Sequence, residues 1–504
     1  MPLRPDEHVS LADLQRGQHA LVRDAAWASL AGSLYGGVVL VGFALALGAG
    51  PFHIGLLAAI PLIAQAVQLP AIALVERFRQ RRKIAILAVT TARILIVALA
   101  LLPFMSDMPT QLALLVIGQF TISALGSITG CSLNSWLHQL LPREGLGNFF
   151  ARRLFWSTAI SCVGTLSAGL LVDHLPLTEK IHAYSISFAA AGLAGFVSSW
   201  YLSRVPEPQM GPVSPHGSVW SRLKQPLQDR NFRNFLFFMG SWNVASSFAA
   251  PFLTVYLMKQ LGFPLSTVTT LWVTSQVANA LTLYAWGRIS DRLTNKAILS
   301  VAMPAWFACM LALVFTAEPN RHALTLPLLY LLHMVMGAAA GGIGLANGNI
   351  GLKLAPQGQG TAYLAAISLV GSVVGGLAPL LSGALAQWLE STHLKLSLVL
   401  DWTAASRANE WAVVSFTHWE FLFVVATLFG LYVLHRLSKV QEGEHVSERV
   451  VVQQFALEAL RTVNQLSSVG GLLGNLFTFG RLFDRRLYGR TVYPRESEKA
   501  QTQG

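Results

Sequence analysis

Charge is scarce in this sequence. Only 12% of its 504 residues are Asp, Glu, Lys or Arg, about half the roughly 25% usual in soluble globular domains. Acids are the scarcer sign, 24 against 36 bases. So few charges cannot cover a large water-facing surface, which argues against a soluble globular chain. Cysteine is nearly absent too. Cys131, Cys162 and Cys309 lie far apart in apolar stretches, which excludes a disulfide framework and a zinc site with paired-cysteine spacing. No Gly-x-x-x-x-Gly-Lys-Ser/Thr loop is present, so an ATP-driven pump is not expected. His/Asp/Glu clusters of the kind a membrane enzyme would use are missing as well. No enzyme activity, resident cofactor or metal is expected.

What the sequence has instead is apolar length. Hydrophobic residues make up 53% of the chain, at a mean hydropathy of +0.51. A bilayer core of about 30 Å needs roughly 20 apolar residues per helix, and twelve runs qualify. The first half offers 25–47, 52–75, 84–105, 111–134, 154–175 and 181–203. The second offers 233–256, 265–287, 297–316, 323–349, 362–389 and 415–437. These runs are too long for barrel strands, so helices are expected to satisfy their backbone in lipid. Residues 204–232, rich in Pro, Gly and bases, read as a linker between bundles 25–203 and 233–437. Residues 1–24 are polar and mixed in charge, and lack the pattern of a cleavable signal. The first run is therefore expected to act as an uncleaved anchor, and 438–504 form a tail.

The bases fall on alternate connections. Thirty Lys and Arg lie on the side of the termini and linker, five lie on the other side, and Arg93 is inside a run. The positive-inside rule puts both termini, the linker and the loop "ERFRQRRK" (76–83) in the cytoplasm. The net charge of +12 thus reads as membrane orientation in a multi-pass protein of the cytoplasmic (inner) membrane, with lipid as partner and no nucleic acid.

The halves also repeat. A shift of 214 positions lays Leu47-Gly48 on Leu261-Gly262, Pro142 on Pro356 and Gly169 on Gly383. "ERFRQRRK" finds its counterpart in "GRISDRLTNK" (287–296), one residue out of step. Two collinear six-helix halves form a parallel repeat.

With this layout the chain resembles the major facilitator superfamily of secondary transporters over roughly 25–437. The family's loop reads Gly-x-x-x-Asp-Arg-x-Gly-Arg-Arg/Lys. The second copy keeps Gly287, Asp291, Arg292 and Lys296, with Thr294 where the second Gly is expected. The first keeps Arg77, Arg81, Arg82 and Lys83, and carries Glu76 for Asp. The resemblance implies an all-α membrane fold of two pseudo-symmetric bundles that rock about a central cavity. It also implies a small-molecule substrate, with or without a coupling proton or sodium ion, and a gating role for Glu76, Arg77, Asp291 and Arg292. A monomer is expected.

The family fold lines the cavity with the first, fourth, seventh and tenth helices. Under the 214 shift Ser29 overlies Asn243, Ser33 overlies Ser247, Gln65 overlies Asn279 and Gln119 overlies His333. These polar residues, with Trp242, are the candidate cavity lining; hydrogen bonding between neighbouring helices is the alternative. No Asp or Glu falls in the middle of the four lining runs, and Asp24 and Asp173 sit at run ends. His333 is therefore the candidate coupling group. Arg93 lies about 13 Å deep in the third run, where it either ties to a neighbouring helix or binds an anion. In the tail, Val452, Phe455, Ala456, Ala459, Leu460 and Val463 share one helical face. A transporter-shaped sensor or assembly factor working through this tail is the competing reading.

Overall fold

The computed structural model describes residues 5, 9–142, 146–175, 180–210, 225–316, 322–355, 360–390, 394–400, 409–416, 418–442 and 450–456. Ten helices among these are long and apolar enough to cross a membrane: Leu11–Ala46, Pro51–Phe78, Arg81–Phe104, Met108–Leu140, Phe149–His174, Ile181–Ser203, Asn295–Leu313, Thr325–Leu354, Tyr363–Trp388 and Trp419–Ser438. Arg230–Val255 and Leu265–Arg292 stand in the seventh and eighth places. Their lower hydropathy comes from polar residues such as Ser241, Asn243 and Ser247 on one and Thr270, Thr274, Gln276 and Asn279 on the other.

Capping fixes several helix starts. Ser10, Asp107, Asp229 and Thr294 each accept a hydrogen bond from a backbone N–H in the first turn that follows. Thr294 explains why the second loop copy lacks its glycine: that position caps the ninth helix. Its counterpart Arg79 takes the left-handed conformation a glycine would favour, at φ 51°. The repeat is visible in the backbone as well. Gly48 and Gly262, matched by the 214 shift, both have positive φ, 80° and 65°. The first helix breaks at Gly36-Gly37, where Gly37 has φ 54°. The seventh carries Pro251 inside its run, 214 residues later, followed by a π-helical turn at Tyr256–Gln260. Ser187 donates to the Leu34 carbonyl just before the first break, at 2.6 Å.

Three expectations need correction. The first helix begins at Leu11, not near residue 25, so Asp24 lies well inside it and is buried. Its early turns hold Ala20 and Leu21 against Trp136, Leu140, Leu202 and Val205, which explains why a mixed-charge segment stays helical. An antiparallel hairpin, β1 (Leu394–Leu400) with β2 (Asn409–Phe416), sits between the eleventh and twelfth helices. In the tail helix Val451 is buried and Val452 is exposed, so the covered face is Val451–Phe455. Phe455 stacks on Trp286 at 4.3 Å. Residues 457–504, which carry Ala459, Leu460 and Val463, lie outside the described residues.

Candidate functional site between the halves

The halves meet on the side away from the linker, called here the far side. Pro51 and Phe52 of the second helix pack on Gly383 of the eleventh. A Cβ on Gly55 would collide with the Pro379 carbonyl and come 3.1 Å from the Gly383 Cα. The fifth and eighth helices make the other seam. A Cβ on Gly169 would strike the Thr269 hydroxyl and lie 3.0 Å from the Ser266 Cα. These seams are equivalent under the 214 shift, which carries Gly55 to Thr269 and Gly169 to Gly383. Asp173 ends the fifth helix and accepts from the Ser266 N–H at 2.6 Å, capping the eighth helix across the interface. Near the middle, Ser372 donates to Gln65 at 3.2 Å, where the second helix loosens into a 3-10 turn. Toward the linker side, Leu74, Phe78, Leu154 and Tyr284, from the second, fifth and eighth helices, are exposed.

Among the candidate lining residues, Gln65 stands at this interface. Ser29 meets Ser157 of the fifth helix, and Ser33 is buried where a Cβ on Gly164 would clash with it. Both lie against the fifth helix. Asn243 donates to Met239 O at 2.7 Å and packs over Gly375. Trp242 meets Trp306 and Phe307 of the ninth helix edge-on. Asn279 lies against Gly341 of the tenth, and Ser247 is half-buried. Gln119 and His333 are both buried, at 5% and 6% exposure. His333 Nδ1 sits 2.8 Å from the Leu329 carbonyl one turn earlier, while Gln119 Oε1 has no hydrogen-bond partner. Arg93 packs across Gly195 of the sixth helix. Glu76 and Arg77 are exposed, Arg77 lying over the Phe78 ring. The side chains of Asp291 and Arg292 lie outside the described residues.

Three acids outside the candidate lining and gating sets take hydrogen-bond partners within the halves. Asp24 accepts from Ser198 at 2.7 Å inside the first half. Glu207, four residues past the end of the sixth helix, accepts from the Arg81 N–H at 2.6 Å and pairs with its guanidinium at 3.4 Å. Arg81 also donates to Ser135 O and Pro208 O. Burial pushes the Glu207 carboxyl upward, although the N–H groups of Arg82 and Arg81 and the Arg81 charge pull it down. Glu442, four residues past the twelfth helix, repeats this at the ninth. It accepts from the Lys296 N–H and from Asn295 Nδ2, both at 2.7 Å, and from Lys353 at 3.1 Å. The identical offset of two acids beyond the last helix of each half was the available signal.

Two helical halves joined by a linker and meeting along paired seams define a membrane transporter fold. A model of the Major Facilitator Superfamily matches residues 25–379, and the chain belongs to that family. No curated protein matches the sequence. A variant of the nucleoside transporter NupG superposes with TM-score 0.64 at 13% identity, covering 84% of this chain and 100% of that one. A bacterial homologue of the iron transporter ferroportin, inward-facing, gives 0.62 at 11% identity, with 86% and 99% covered. A bacterial homologue of the lysosomal transporter Spinster, also inward-facing, gives 0.57 at 14%, with 90% and 98% covered.

Proposed function

We propose that this chain carries a small organic solute across the cytoplasmic membrane by alternating access, drawn here with the cavity open to the cytoplasm. The observation that carries the reading is the pair of far-side seams, Gly55 on Gly383 and Gly169 on Thr269, set against exposed apolar side chains toward the linker side. Thirty bases against five support assigning the linker side to the cytoplasm. The family and the inward-facing neighbours support rocking of bundles 25–203 and 233–437 about a central site. Gln65, Gln119 and His333 are the polar groups we place nearest that site, with Glu76, Arg77, Asp291 and Arg292 closing the cytoplasmic side in the opposite state. Two amides and an imidazole, with no acid among them, favour an uncharged or zwitterionic organic solute. His333 and, in view of its burial, Asp24 are the candidate groups for proton coupling.

Counterflow in proteoliposomes tests the reading. Solutes that raise the thermal midpoint of the purified protein should exchange across the vesicle, and failure of all of them to exchange removes it. Labelling of a single cysteine at Gln80 by an impermeant reagent from outside intact cells would reverse the orientation. A sensor acting through the tail remains as a second reading because Phe455 docks on Trp286 of the eighth helix. Such a protein would bind solute without moving it.

A further inference from the structure

The second half carries a groove on its own flank, apart from the seams between halves. It runs between the eleventh and twelfth helices, with the seventh as its floor, and has a volume of about 470 Å³. Leu236, Gly240 and Val244 of the seventh helix, with Val370 and Val374 of the eleventh, line it with apolar surface. Phe237, Phe429 and Tyr432 form its rims and are themselves exposed, at 57%, 38% and 52%. Arg233 lines one end. Arg436 lies beside it, its guanidinium over the Phe237 ring at 4.9 Å and its buried Nε without a hydrogen-bond partner. Asp229, the acid at this end of the seventh helix, already accepts the N–H groups of Asn231 and Phe232.

The groove has the dimensions and polarity of a lipid. Arg233 is the fourth residue of the seventh helix and Arg436 the third from the end of the twelfth, so both stand within about one turn of the linker-side membrane surface. Val374 lies 14 residues beyond Gly360 at the start of the eleventh helix, about 21 Å along it. The apolar lining therefore descends from headgroup depth to beyond the middle of a core about 30 Å thick. A solute from water would meet an apolar slot opening sideways into hydrocarbon. Acyl chains of the surrounding bilayer reach such a slot without crossing water.

We propose that this groove binds an anionic phospholipid, one acyl chain along Leu236, Val244, Val370 and Val374 and the phosphate between Arg233 and Arg436. The proposal rests on the reading that the linker side is cytoplasmic, since that leaflet presents anionic headgroups to basic pockets between helices. Phe237 braces the Arg436 guanidinium by a cation–π contact, which holds a second positive charge beside Arg233 at the basic end of the groove.

Native mass spectrometry of the detergent-purified full chain tests this without any transported solute, so its failure and that of the transport reading are distinguishable. With added phosphatidylglycerol or phosphatidylcholine, the wild type should retain phosphatidylglycerol at least tenfold better. Arg233→Gln with Arg436→Gln should abolish the preference while the thermal midpoint in detergent stays within a few degrees. Val374→Trp fills the groove and leaves both arginines, so it should lose both lipids; this variant decides the matter if the double variant does not fold. Equal retention of the two lipids by the wild type overturns the proposal. So does undiminished phosphatidylglycerol binding in Val374→Trp, or a dimer in place of a lipid adduct.

Discussion

Asp173 closes the far side by capping a helix of the opposite half: its Oδ2 lies 2.6 Å from the backbone nitrogen of Ser266. A charged cap of this kind contributes about 1 kcal/mol, roughly fivefold in a two-state population. Asp173→Ala should therefore shift the balance toward a far-open state by about fivefold. Spin labels at His174 and Lys259, in a background without the three native cysteines, report it. A distance distribution unchanged from the parent would show that the cap does not bias the states.

Gly55 allows a backbone approach that a methyl group forbids, since its Cβ would collide with the Pro379 carbonyl. Overpacking of this kind costs about 1–3 kcal/mol. Gly55→Ala should lower counterflow five- to hundredfold with normal membrane insertion. Gly126→Ala, where a Cβ meets nothing within 4 Å, is the control and should leave counterflow within about twofold. Equal loss in both variants would argue against the seam.

Glu207 and Arg81 form a pair with 0% and 2% side-chain exposure. Removing one partner of such a pair costs about 3–5 kcal/mol, so Glu207→Ala should lower the thermal midpoint far more than Glu207→Gln, which keeps an acceptor for the Arg81 N–H. Burial raises the Glu207 carboxyl above its ordinary 4.5. A raised acid contributes stability below its unfolded value and loses that contribution as pH rises through the folded value. Glu207→Gln should therefore flatten the part of the stability profile that falls as pH rises above about 4.5. A wild-type profile matched by the variant at every pH would exclude Glu207 as the titrating group.

Arg79 holds a left-handed backbone at φ 51° without being glycine. That conformation costs an L-residue about 1–2 kcal/mol. Arg79→Gly should raise the thermal midpoint in detergent, and a lower midpoint would show that the arginine side chain contributes more than its backbone costs.

The architecture was legible because lipid makes helix length and basic loops visible in sequence. The 214-residue shift reached further than composition alone. It paired Gly48 with Gly262 and Gly169 with Gly383, which proved to share a backbone conformation in one case and a structural role in the other. The cavity faces were not legible in the same way. Ser29, Ser33 and Asn243 look alike in sequence whether they face water or a neighbouring helix, and each has atoms of an adjacent helix close by. Asp24 was misplaced because an apolar run marks where lipid begins, whereas the helix starts at its cap, Ser10. Glu207 and Glu442 escaped notice because each sits in a polar segment, where burial against Arg81 or Asn295 leaves no periodic trace.

The break at Gly37 and the proline at 251 fall at the same place in the repeat, although the seventh helix runs on past its proline to Val255. Beyond the first of them, Gly37–Ala46 is a separate rod of 10 residues, about 15 Å long. Val39, Phe43 and Ala44 on this rod are fully buried, and Phe43 packs on Tyr184 and Phe188 of the sixth helix, so the break redirects the hydrogen bonding without freeing the segment. The break at Gly37 thus ends one hydrogen-bonded run and begins another inside a packed half, while Glu207 and Glu442 hold the starts of the third and ninth helices on the opposite face.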